Sequence, residues 1–63
     1  MVKQTFRPGE PVVIYGLIVN SIRQTIKGEF IREIITGDRA GHYLIRIGQL
    51  AIAVDPRKVR KDG

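Results

Sequence analysis

Four cationic side chains lie close together near the end of the chain, where they could bind phosphate. Arg57, Lys58, Arg60 and Lys61 surround one apolar residue, Val59. Such a group displaces counterions from a nucleic-acid backbone, so its affinity falls steeply with salt and specifies no base sequence. The alternative is a solvated and frayed end of the chain, and the sequence leaves both interpretations open.

Two more arginines extend this predicted phosphate-binding set. Arg46 lies within an apolar, strand-like segment, and Arg39 lies in a glycine-containing loop. The formal net charge of +5 favours acidic partners, above all RNA or DNA. A charge that only keeps a small β-domain soluble is the alternative. The candidate nucleic-acid-binding residues are Arg39, Arg46, Arg57, Lys58, Arg60 and Lys61.

Residues that could support catalysis or metal binding are few and scattered. The chain has one serine, Ser21, one histidine, His42, and no cysteine. The six acids do not cluster at metal-ligand spacings. The segment from Gly37 to Gly41 lacks the Gly-Lys-Ser/Thr ending of a phosphate-binding P-loop. The sequence therefore predicts a binding protein and not an enzyme, with no metal and no cofactor.

The composition predicts one small β-domain. Sixty-three residues suffice for a single domain, with an expected ordered core of about residues 6–60. Isoleucine and valine dominate the apolar residues, and branching at Cβ favours strands. No apolar run reaches the roughly 20 residues of a membrane span, and the first residues lack the apolar core of a signal peptide. We expect a cytoplasmic protein that does not bind membranes.

One hairpin is the clearest fold signal. Segments Tyr43–Ile47 and Leu50–Val54 are separated by Gly48-Gln49, which suits a tight II′ turn because glycine accepts a positive φ. This turn pairs Ile47 with Leu50, Ile45 with Ile52, and Tyr43 with Val54. Because side chains alternate along a strand, those six should share the core face. The opposite face then carries Leu44, Arg46, Ala51 and Ala53.

The first half of the chain leaves two alternatives open for its secondary structure. Pro8-Gly9 predicts a turn before a strand over Val12–Val19, in which Gly16 marks a sharp bend. From Asn20 to Thr36 the sequence favours two strands, Ile22–Ile26 and Phe30–Thr36, joined through Lys27-Gly28. A helix capped by Ser21 is the alternative, because apolar residues recur every four positions. Phe30–Thr36 and Tyr43–Ile47 would form a second hairpin. One register of this hairpin would place Glu33 opposite Arg46 and Ile35 opposite Leu44.

The whole chain resembles a small SH3-like barrel of the KOW and Tudor kind. The opening Phe6-x-Pro8-Gly9-Glu10-x-Val12, the Gly16-led strand, the Gly48-Gln49 hairpin and Val54-x-Pro56-x-x-Val59-Arg60 carry the resemblance. It implies a five-stranded barrel with a short C-terminal turn. KOW-type barrels bind RNA or protein neighbours through loops and basic edges. There is no Trp for a proline-peptide groove, and we expect Phe30 and Tyr43 in the core and not in a methyl-lysine cage.

Two functions therefore fit the sequence. The first is nucleic-acid binding without base specificity, with an exposed Tyr15 able to stack a base, although a core position for this residue is favoured. The alternative is a protein-interaction or self-assembly module, in which Leu44, Ala51 and Ala53 form a flat apolar face. That face would pack against a second copy of the chain or a larger protein complex.

Overall fold

The described part of the chain is a single antiparallel sheet of five strands. A computed structural model describes residues 5–62. The strands are β1 (Pro11–Val19), β2 (Ile22–Glu33), β3 (Tyr43–Ile47), β4 (Leu50–Val54) and β5 (Val59–Lys61), and a 3-10 turn, Pro56–Lys58, joins β4 to β5. Their order in the sheet is β4-β3-β2-β1-β5. The predicted all-β class, strand number and C-terminal turn are confirmed. No helix in this part of the chain is long and apolar enough to cross a bilayer.

The hairpin of β3 and β4 has the predicted register. Ile47 pairs with Leu50, and the pairing continues without a bulge to Tyr43 and Val54. Gly48 has a φ of 62°, as the expected turn requires. One part of the prediction is wrong, because Leu50 is 70% exposed although it lies on the inner side. The hairpin extends past the core at its turn, and the packed neighbours do not reach Leu50.

β2 is one continuous strand and not the two strands, or the helix, that the sequence allowed. The β1–β2 connection is the two-residue turn Asn20-Ser21, whose φ values are 51° and 65°. Two successive positive φ values are the signature of a type I′ hairpin turn. Ser21 is therefore a turn residue and caps no helix, and the chain from Ile22 to Glu33 forms strand throughout.

The absence of a side chain at Gly28 allows β2 to continue past the core without interruption. A Cβ at this position would lie 2.7 Å from the Arg46 carbonyl oxygen and 2.8 Å from a methyl group of Ile45. Both distances are shorter than any normal contact. The missing side chain lets β3 approach β2 closely, so Gly28 marks close packing and not a break between strands.

The register between β2 and β3 differs from the predicted one. Glu29, and not Glu33, lies opposite Arg46, and Arg32, and not Ile35, lies opposite Leu44. A bulge between Phe30 and Arg32 shifts the pairing. Such an extra residue changes which side chains share a face, so the alternation that suggested the wrong register breaks at the bulge.

The core draws on every strand although hydrogen bonds do not close the sheet. β4 and β5 remain at its two edges, yet Val54 and Val59 belong to one buried cluster with Ile14 and Ile45. Val59 is 1% exposed, although its four cationic neighbours in the sequence are all exposed. The rings of Phe6, Phe30 and Tyr43 pack against each other, with centroids 5.3 to 5.5 Å apart. Phe30 and Tyr43 are buried as expected.

Candidate nucleic-acid interface

The outer face of β1 carries an exposed aromatic ring. Val12 and Ile14 are completely buried, and alternation along the strand directs Val13 and Tyr15 to the opposite side. Tyr15 is 50% exposed, so the expectation of a core position is wrong. A bulge between Ile14 and Leu17, with Gly16 at a φ of 69°, follows directly and confirms the predicted irregularity. Tyr15 therefore projects from a strand that the core holds in place.

Cations lie on this outer face on both strands that neighbour β1. Val13 pairs with Arg60 on β5 and with Lys27 on β2, so the three side chains form a row across the sheet. Val13 is only 8% exposed although it lies outside the core cluster. Long cationic side chains can cover an apolar neighbour with their stems while their charges stay in solvent.

A third cation lies on the other side of the bulge. Arg23 pairs with Ile18, and its Cδ lies 3.9 Å from the position of a Cβ built on Gly16. The Arg23 side chain therefore lies close to Gly16, the residue that follows Tyr15. We call the group formed by Tyr15, Arg23, Lys27 and Arg60 the basic face. The Lys27 ammonium lies 4.0 Å from the Asp62 carboxylate, a separation at which an exposed ion pair contributes little.

Two of the predicted phosphate-binding residues are engaged within the protein. The guanidinium group of Arg57 donates to the Asp55 carboxylate, with a shortest distance of 2.8 Å. The backbone N–H of Arg57 donates to the same carboxylate at 2.9 Å. These hydrogen bonds hold the pKa of Asp55 well below its usual range, and the pair raises the pKa of Arg57. Lys61 lies 3.7 Å from Glu10. Arg57 is thus less available to phosphate than its sequence suggests, whereas the Lys61 contact, like that of Lys27 with Asp62, is a long ion pair at the surface that contributes little.

The other four predicted residues are exposed and lie on different elements of the structure. Arg60 belongs to the basic face, and Lys58 precedes it in the 3-10 turn, which packs against β1. Arg46 lies on β3 between Glu29 and Ala51. Arg39 lies in the loop between β2 and β3. Within residues 5–62 none of these four forms an ion pair.

The predicted flat apolar face is present as a small part of the outer surface. Leu44 pairs with Ala53, and Ala51 pairs with Arg46. Leu44 and Ala53 are half-buried, and Ala51 is exposed. The register on both sides of Arg46 places its charge within this face, so the face offers less continuous apolar surface than a flat interface needs.

Sequence reasoning missed two members of the basic face, Arg23 and Lys27, and it weighed base stacking by Tyr15 but favoured a core position for that residue. The missing information was the length of β2, because Arg23 and Lys27 share its outer side only if the strand continues past Ile26 to Lys27. The Asn20-Ser21 pair between two apolar segments was the available signal, since such residues favour I′ turns.

The described residues offer little to acid–base or metal chemistry. Between Thr5 and Asp62 there is no group of three or more His, Asp or Glu side chains that could hold a metal ion. His42 is half-buried directly before β3, where its carbonyl oxygen accepts a hydrogen bond from the Ile34 N–H. This backbone hydrogen bond at the end of the loop between β2 and β3 accounts for the position of His42.

Comparison with known proteins does not assign the chain to a family. No family model, no curated protein and no solved structure matches it significantly.

Proposed function

We propose that this protein is an SH3-like module of the KOW and Tudor kind that binds RNA or DNA through phosphate contacts, without reading base sequence. The observation that carries the proposal is the row of Arg60, Val13 and Lys27 beside the exposed ring of Tyr15. The strand order and the 3-10 turn before β5 support the architectural part of the proposal.

The balance of charges supports phosphate as the ligand. Seven cationic side chains form no ion pair to another residue between Thr5 and Asp62. They are Arg7, Arg23, Arg32, Arg39, Arg46, Lys58 and Arg60. An exposed cation without an ion-pair partner can contact a phosphate without first breaking a contact with a carboxylate. Each phosphate that such a cation neutralises releases a counterion.

The position of Tyr15 favours single-stranded ligands over duplexes. An unpaired base can stack on an exposed ring while the flanking cations contact the phosphates on either side, and such stacking is tolerant of base identity. A base within a duplex is not available for this contact. We therefore expect stronger binding to a single strand than to a duplex of the same length.

The test is a fluorescence anisotropy titration of a labelled single strand and a labelled duplex at two salt concentrations. The double variant Arg60→Gln and Lys27→Gln should reduce the salt slope for the single strand by about 0.7 for each phosphate that is no longer neutralised. The control, Arg39→Gln, removes one charge from a loop and should change the slope less per charge.

Two outcomes would contradict the proposal. The first is an absence of salt-dependent binding by the unmodified protein at micromolar concentration. The second is an equal change of slope per charge in the control, which would mean that net charge acts diffusely and that the basic face is not the site.

A second candidate function, self-association, is favoured by a different observation. Leu50 is 70% exposed at the end of β4, and with Ile52 it lines an apolar groove of about 360 Å³. The other lining residues come from the β1–β2 hairpin and β3: Leu17, Ile18, Val19, Ile26 and Ile47. Exposed apolar surface of this kind marks interaction sites.

A further inference from the structure

The two edges of the sheet differ in a way that points to a partner for one of them. β4 is an edge strand of five residues, Leu-Ala-Ile-Ala-Val, without a charge or a proline. β5 is an edge strand of three residues that carries Arg60 and Lys61. Short length and charge are the usual means by which proteins prevent unwanted strand pairing. β5 has both features, and β4 has neither.

The hairpin geometry identifies the backbone groups that β4 leaves open. Ile47 and Leu50 flank the two-residue turn Gly48-Gln49, and this type of turn makes the flanking residues a hydrogen-bonded pair. Bonded and non-bonded pairs alternate along an antiparallel ladder, so Ala51 and Ala53 belong to the non-bonded pairs. Their N–H and C=O groups point away from β3, toward the open edge. No other strand between Thr5 and Asp62 pairs with that edge.

We propose that two copies of this chain pair through β4 in antiparallel orientation, with Ile52 on the two-fold axis. In this register Ala51 forms a hydrogen-bonded pair with Ala53 of the partner subunit, and Ala53 pairs with the partner's Ala51. Each pair exchanges two backbone hydrogen bonds. In no other two-fold register does Ala51 of one copy pair with Ala53 of the other. This register therefore gives hydrogen-bond partners to the largest number of the N–H and C=O groups at the open edge.

The side chains of β4 favour a second copy over an unrelated strand. The order of sizes, large-small-large-small-large, is the same in both directions, so the strand is complementary to its own antiparallel copy. On the outer side only alanine methyl groups meet. On the inner side Ile52 faces its own copy, and Leu50 lies across from Val54 of the partner subunit. The pairing opposes no like charges and covers the exposed Leu50.

The same symmetry has a consequence that rests on the proposed nucleic-acid function. A two-fold axis between antiparallel edge strands is perpendicular to the sheet, so both outer faces lie on the same side of the dimer. The two basic faces would then be available to one extended strand. Linking two sites in this way raises the overall affinity without changing the site in either copy.

Sedimentation velocity of the full chain without nucleic acid, from micromolar to near-millimolar concentration, tests the dimer independently of any ligand. The unmodified chain should shift from monomer to dimer over this range. Ala53→Pro removes an edge-facing N–H that β3 does not use and should give a monomer. The control Ala53→Ser keeps the N–H and the small size and should still dimerise. Leu50→Lys, at an exposed position, provides a second disruptive change if the proline variant fails to fold.

A cysteine pair tests the register, since the chain contains no natural cysteine. Ile52→Cys should oxidise to a covalent dimer faster than Ala53→Cys, because only position 52 lies opposite its own copy. Non-bonded antiparallel neighbours have Cβ atoms close enough for a disulfide. A chain that stays monomeric, a folded Leu50→Lys variant that dimerises unchanged, or equal oxidation at both positions would overturn the proposal. A failure of nucleic-acid binding alone would leave these results unaffected.

Discussion

The two faces of the sheet use the same strands for different purposes. On the inner face, Val12, Ile14 and Ile45 are completely buried, and the strands approach so closely that Gly28 has no room for a side chain. On the outer face, one residue along the same strand, Tyr15 is half exposed and shares its face with Val13, whose partners on the two neighbouring strands are the cations Arg60 and Lys27. Changes on the inner face should therefore alter folding, and changes on the outer face should alter binding.

Ile45→Ala should produce the largest effect. Truncating a completely buried isoleucine leaves a cavity and should lower the free energy of unfolding by about 2–5 kcal/mol, measured by urea denaturation. Leu50→Ala is the matched aliphatic control, because Leu50 is 70% exposed, and it should change stability by about 0.5 kcal/mol or less. Similar losses of stability in the two variants would contradict the distinction between buried and exposed positions.

Gly28→Ala should be the next most damaging change, by about 1–3 kcal/mol, because the added methyl group overpacks the contact between β2 and β3. Methyl NMR signals of Ile45 and Ile47 should shift, since both side chains lie within 3.2 Å of the added carbon. Gly48→Ala strains a positive φ but meets no atom within 4 Å, so it should leave those signals in place. If Gly28→Ala folds with unchanged stability, the close approach is wrong.

Tyr15→Ala tests the outer face. Removing one base-stacking ring should weaken single-strand binding by about 1–3 kcal/mol, measured by anisotropy at fixed salt, while the urea midpoint changes little. Tyr15→Phe retains the ring and should retain most of the affinity. If the alanine variant binds a single strand as tightly as the unmodified chain, the ring is not a stacking surface.

Asp55 should show the smallest effect, visible as a shifted titration. Its pKa is lowered by the hydrogen bonds from Arg57, so the carboxyl NMR titration should have its midpoint below the usual value of about 3.9. A lowered folded-state pKa means that the ionised group stabilises the fold above the unfolded pKa, and this contribution is lost as pH falls through the folded pKa. Arg57→Gln should move the midpoint back toward its ordinary value, and an unchanged midpoint would contradict the pairing.

Local signals predicted the parts of the fold whose partners lie close in sequence. The β3–β4 register follows from a two-residue turn and alternating side chains. The Pro8-Gly9 turn is present, with a φ of 84° at Gly9 and a hydrogen bond from the Glu10 N–H to the Arg7 carbonyl. In both cases the interacting residues are separated by a few positions, so turn chemistry alone determines the geometry.

The candidate site was predicted less completely because it depends on contacts between distant residues. Lys58 and Arg60 are exposed as expected, but Arg57 and Lys61 are paired with acids, and Lys61 meets Glu10 from the other end of the chain. The row of Arg60, Val13 and Lys27 joins three strands. Charge clustering along the sequence identified part of the surface and could not show which cations are free.

The amino-acid sequence by itself determined the all-β class, the terminal hairpin and the basic character, because turn residues, alternation and net charge act locally or as sums. Only the tertiary structure decided that β2 runs unbroken past Gly28, that Tyr15 faces solvent and that β4 is left at an edge. Each of those outcomes depends on how closely two strands approach and which groups remain unpaired afterwards, and these are properties of the assembled sheet.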